Sequence, residues 1–131
     1  MITTADVRDW IKTVFATAEH FYVGRLDNKQ QKSVGVYTLA QSGAPITAIG
    51  QDSSYTTIGI SCLIHWNENA KETEIAANVL YEVLRTVKNV TINGHNVYMI
   101  ELLVPEPQDV DTDDNGVYER VIEFLIYYER K

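Results

Sequence analysis

The chain has 131 residues, a formal charge of −7 and 45% hydrophobic side chains. That length corresponds to one domain with an ordinary hydrophobic core, which excludes a disordered chain. No apolar run approaches the ~20 residues of a bilayer span, and the acidic balance argues against a nucleic-acid binder that neutralises phosphates.

The first predicted element is a helix over residues 4–16. Val7, Trp10, Ile11, Val14 and Phe15 follow the spacing of one helix face. Thr3 followed by Asp6 is a variant of the capping box, and Asp6 suits the positive helix N-terminus. Residues 20–23 and 34–39 are β-prone and predict a hairpin with a long polar tip over 24–33. That tip carries Arg25, Lys29 and Lys32 beside Asp27. Residues 40–55 have no sustained period and read as a long loop, a length that is uncommon unless it binds something or stays mobile.

Residues 57–66 alternate. Ile58, Ile60, Cys62, Ile64 and Trp66 share one face, expected on the core; Thr57, Gly59, Ser61, Leu63 and His65 share the other. Asn67 or Asn69 caps a second helix over 70–86, with Ala76, Val79, Leu80, Val83 and Val87 as its buried stripe. A short strand over 90–92 meets the turn signal Asn93–Gly94. A strand over 96–104 follows, with Tyr98, Ile100, Leu102 and Val104 on one face, ended by Pro105 and Pro107. Residues 109–116 form an acidic loop. The last strand, 117–129, puts Tyr118, Ile122, Phe124, Ile126 and Tyr128 on one face and Glu119, Glu123 and Glu129 on the other. The order is helix, hairpin, loop, strand, helix, meander. This is an α+β single domain, 1–131, with a mixed, mostly antiparallel sheet flanked by two main helices.

Chemistry is sparse. Asp111-x-Asp113-x-Asn115-Gly116 matches the first half of a calcium loop, and Glu119 stands at position nine. Position twelve, which needs a bidentate Glu, is Ile122, and the flanks read as strands. A tight loop is therefore preferred to a Ca²⁺ site. His20, His65 and His95 share no spacing, and Cys62 and His65 fall on opposite strand faces, so no zinc set forms. Cys62 reads as a small core residue, and His65 as a solvent or interface residue. No nucleophile elbow or phosphate loop is present. No cofactor is implied, and the chain reads as a non-enzyme. The tyrosines Tyr98, Tyr118, Tyr127 and Tyr128 are open to two readings, sheet packing or a protein interface.

Several blocks occur together in order: Tyr22-Val-Gly-Arg-Leu-Asp27, Gly35-Val-Tyr37, Gly59-Ile-Ser-Cys-Leu-Ile-His-Trp-Asn67, Asn69-Ala-Lys-Glu-Thr-Glu74, Glu101-Leu-Leu-Val-Pro-Glu-Pro-Gln-Asp109, Asp113-Asp-Asn-Gly-Val-Tyr-Glu119 and Phe124-Leu-Ile-Tyr-Tyr-Glu-Arg130. As a set they resemble the minor capsid protein family of phages and prophages of Gram-positive bacteria. That family is similar to the tail terminators of long-tailed phages. The resemblance implies a virion protein, assembled in the host cytoplasm, that forms a ring, typically a homo-hexamer. The ring would cap the tail tube and dock onto head completion proteins, with DNA passing but not specifically bound, and with no membrane partner. Another connector or minor capsid position is an alternative. From a different class, so is a divalent-ion or small-ligand module using 109–116.

Under that reading the candidate subunit or partner interface is Arg25, Lys29, Lys32, Gly43, Pro45, Ile46 and Tyr55. The 40–55 loop is the first candidate for an arm that orders on assembly. Charge is uneven along the chain. Residues 1–66 carry five basic and five acidic side chains, whereas 67–131 carry six and thirteen. The acids Glu106, Asp109, Asp111, Asp113 and Asp114 belong to the densest stretch and are expected toward the lumen or a docking partner.

Overall fold

Thr3 opens the first helix, α1 (Thr4–Val14), with a closed capping box. Its side chain accepts the Asp6 N–H at 3.2 Å, and the Asp6 carboxylate accepts the Thr3 N–H at 2.9 Å. Two otherwise unpaired backbone donors are thereby satisfied, with Asp in the place of the more usual Glu. The helix stops two residues short of the predicted end. Phe15 caps it and turns into the core, 5.9 Å from the Trp66 ring. The computed structural model describes residues 1–27, 29–39, 55–110, 112 and 116–129. The predicted long loop lies outside these residues except for Tyr55, which opens a strand.

Two short strands follow, β1 (His20–Val23) and β2 (Ser33–Thr38). The hairpin expected here does not form, because the two strands pair in parallel, His20 opposite Ser33 and Val23 opposite Val36. The polar segment between them is therefore a return connection and not a hairpin tip. Gly24 takes a positive φ of 73°, and its N–H bonds the Val36 carbonyl at 2.8 Å. Lys32, at φ 53°, donates its N–H to the Trp66 carbonyl at 2.7 Å. These tertiary bonds fix a path that local propensity does not encode.

The central strand β3 (Tyr55–His65) pairs antiparallel with β2 and, along its whole length, with the last strand β7 (Glu119–Glu129). Between them come α2 (Ala70–Thr86), β4 (Lys88–Ile92), β5 (His95–Leu102) and β6 (Gln108–Val110). The strand order is β1-β2-β3-β7-β5-β4, with β6 attached to β7. The expected α+β fold is present: two helices and a curled mixed sheet dominated by antiparallel pairs. The predicted meander corresponds to β4, β5 and β7. Residues 108–110, of which 109 and 110 were read as the start of the acidic loop, instead form β6, which shares one edge of β7 with β5. The Asn93–Gly94 turn takes positive φ at both residues, 46° and 77°, as a tight primed hairpin turn requires.

Both helices pack on the same face of the sheet. Val34, Val36, Ile60, Cys62, Ile64, Ile122, Phe124 and Ile126 point at them and are fully buried. Each of the Val, Ile and Phe side chains contributes about 1.5–3 kcal/mol when removed from water. Two predicted faces are corrected. On α2 the buried stripe is Thr73, Ala76, Ala77, Leu80 and Leu84, while Val79 is exposed. Apolar residues surround that helix, so spacing offered two overlapping stripes and packing on the sheet selected one. On β5 a bulge between Val97 and Met99 shifts the alternation. Val97 and Ile100 turn inward, and Tyr98 is left exposed.

Candidate functional site

One face of the sheet carries the helices; among the described residues the opposite face of β3, β7 and β5 carries none. An antiparallel sheet with one face on water ordinarily shows a polar outer set. Here the outward row mixes apolar and acidic groups. Leu63 stands opposite Val121, Gly59 opposite Leu125, and Met99 opposite Tyr127. Met99 is 45% exposed and Leu103 is 44% exposed. Glu101, Glu119, Glu123 and Glu129 stand among them, with no Lys or Arg at the outward positions of these three strands.

Tyr55 sits on this face, its ring 5.8 Å from that of Tyr127. The Tyr127 hydroxyl donates to the Glu101 carboxylate at 2.7 Å. That hydrogen bond, with smaller help from burial, raises the Tyr127 phenol above its ordinary value. Of the four tyrosines left open, Tyr127 faces outward. Tyr128 is buried beneath the sheet, where its hydroxyl accepts the Ile2 N–H at 3.2 Å.

His65 also points to this side, but it is fully buried, contrary to the expectation of a solvent or interface residue. Its Nδ1 lies 2.8 Å from the Glu119 carboxylate directly opposite. Ser33, on its other side, is buried as well. Next along β2, the space above Gly35 is filled by Leu26 and the Tyr37 ring. Leu26 of the 24–32 connection thus lies over the β2 end of the face, and among the described residues no further segment is seen over the β7 and β5 end, where Met99, Glu101 and Leu103 are exposed and Glu123, Leu125 and Tyr127 half-buried. Cys62 is on the opposite, inner side as expected, and burial pushes its thiol up to about 12.

The other predicted residues fall as follows. Arg25 and Lys29 are exposed on the 24–32 connection, and Lys32 is half-buried beside Trp66. Glu106 is exposed in the bend between β5 and β6. Asp109 is on β6, 3.7 Å from Arg120. Gly43, Pro45, Ile46, Asp111, Asp113 and Asp114 lie outside the described residues. The structure brings Tyr55 to the acidic face, whereas Asp109, opposite Arg120, shares the phase of inward Ile64 and is not part of that face. Leu63 is outward as its alternation expected and is half-buried; exposed Met99 and Leu103 and half-buried Leu125 were missed as outward residues. Their signal was an apolar residue interrupting a polar strand face, as Leu63 does between Ser61 and His65.

Among the described residues, no group of three or more His, Cys, Asp or Glu is placed to hold a metal ion. No helix among them is long and apolar enough to cross a membrane. The surface suits protein contact: aromatic and aliphatic area, interspersed carboxylates and a rigid strand backbone. The chain matches a family model described as Bacteriophage tail terminator protein over residues 1–130. No curated protein matches it.

Proposed function

The chain belongs to the bacteriophage tail terminator family, and from that premise we propose that it caps the tail tube as a ring at the head–tail junction. It is a tail-related component of the phage virion. The proposed ring is a homo-hexamer, assembled in the host cytoplasm. One side meets the tail-tube protein and the other meets head completion proteins. Its role is structural and not catalytic. The observation that carries this reading is a family match spanning 130 of 131 residues, and the bare, apolar-acidic sheet face supports it. Ring closure needs two different surfaces on each subunit. The 24–32 connection, with Arg25, Lys29 and Lys32, and the 40–55 segment, on its sequence, are the proposed contributors on one side. The acidic stretch around Glu106 and Asp109 is the proposed lining of the lumen or the docking side, where like charge keeps passing DNA from adhering.

Native mass measurement with electron microscopy, on the protein alone and with purified tail tubes, tests this. Rings of six seated on tube ends are the expected result. A monomer that shows no affinity for tube ends when tubes are present would sink the reading.

A further inference from the structure

We propose that the bare face formed by β7 and β5 binds the 24–32 connection of a second copy of this chain. This rests on the ring reading above and assigns the two unlike surfaces that a ring requires.

The argument is charge complementarity on a partly apolar face. Arg25 and Lys29 are exposed, and neither pairs with a carboxylate among the described residues. Glu123 likewise has no cationic partner among them, and Glu101 is held only by the Tyr127 hydroxyl. Within one copy these groups do not meet. The connection lies over Gly35 on β2, whereas Glu123 and Glu101 are on β7 and β5, two and three strands away. At a strand spacing of about 4.8 Å that is a lateral gap of roughly 10–14 Å. A gap of that size exceeds the screening length of about 8 Å at physiological salt. Among the described residues the cations meet no carboxylate, and a face with acids to receive them is present on every copy.

Apolar area accompanies the charge. Met99 and Leu103 flank Glu101 and are nearly half exposed, so a partner segment laid there removes them from water as its cations reach the acids. Hydrogen bonds hold the described residues of the connection. Gly24 bonds Val36, Leu26 bonds the Tyr37 hydroxyl, and Lys29 bonds the Asp27 side chain. The two surfaces differ, so the contact is heterologous. Each added copy leaves one connection and one face free, and the chain of contacts ends when the ring closes.

The test uses two charge reversals in the full chain, R25E/K29E and E101K/E123K, read by sedimentation and native mass under the condition in which wild type forms rings. Circular dichroism and thermal unfolding of each variant monitor the fold. Each variant alone is expected to need at least about tenfold more protein to assemble, because like charges then face each other. Mixing the two restores complementary contacts and is expected to restore rings of alternating subunits. Folded variants that assemble as wild type does overturn this inference and leave the ring reading standing, as does a mixture of folded variants that fails to assemble. If wild type forms no ring even on tail tubes, the ring reading itself falls. A closed dimer as the restored species overturns the head-to-tail arrangement.

Discussion

Replacing Gly35 with alanine tests how the 24–32 connection is held. Gly35 sits in β2 with ordinary extended backbone, so alanine alone would gain about 0.5–1 kcal/mol from reduced chain entropy. The added Cβ, however, would stand 2.9 Å from Tyr37 Cε1, 3.1 Å from Leu26 Cδ1 and 3.3 Å from the Tyr37 hydroxyl. The Tyr37 ring is not free to swing, since its hydroxyl accepts the Leu26 N–H at 3.3 Å. Overpacking of this kind costs about 1–3 kcal/mol. The net expectation is a loss of about 1–2 kcal/mol, or roughly 4–8 °C in Tm for a domain of this size. Urea unfolding should show a lower midpoint with an unchanged slope. The same substitution in a Tyr37→Ala background meets neither close ring atom and should be neutral or slightly stabilising. If Gly35→Ala raises stability in the wild-type background, or costs the same in both backgrounds, the packing account is wrong.

Further outcomes are expected. Thr3→Ala removes the helix cap and should cost about 1 kcal/mol by denaturant titration. The Asp6 carboxyl, held below its ordinary value chiefly by the Thr3 N–H, adds stability that is present above pH 4 and lost as pH falls through its lowered value; Asp6→Asn should flatten that acid limb. The Tyr127 phenol is raised in the folded state, so its contribution is full below about pH 10 and lost as pH rises through the raised value. Ultraviolet titration should show one tyrosine ionising earlier in Glu101→Gln than in wild type. Cys62, buried and raised to about 12, should resist thiol reagents in the native protein and react only on unfolding.

The elements whose periodicity is strong were legible in the sequence. The helix 70–86 matches α2 at both ends, and the inward face of β7 from Ile122 to Tyr128 is as spaced. The parallel pairing of β1 and β2 was not legible. Two short β-prone runs around a polar segment look like a hairpin, and the deciding bonds come from residues as remote as Trp66. The bulge at Tyr98 has no signal in the alternation, because either phase of 96–104 buries apolar residues. The stripe of α2 was misread for the same reason: Val79 and Leu84 both fit a helix face, and only the curved sheet distinguishes them. Of the candidate site, the acidic members of the open face were visible as the outward set of the last strand. The bare condition of that face was not, since a strand's alternation says what points outward but not whether another layer covers it.

The position of β7 has a kinetic consequence. It joins β3 to β5, yet it follows both in the order of synthesis. Until it emerges, β3 and β5 each present an unpaired edge, and the most extensive contacts in the fold span more than fifty residues of chain. Folding is therefore dominated by non-local pairing and waits for the last strand. The open edges are sticky meanwhile. Glu123 and Leu125 belong to β7, so the proposed docking face is also incomplete until β7 is made. A half-made subunit carries the proposed connection without the finished face, so under the proposed contact it adds to a ring on one side only and extends it no further until β7 is in place.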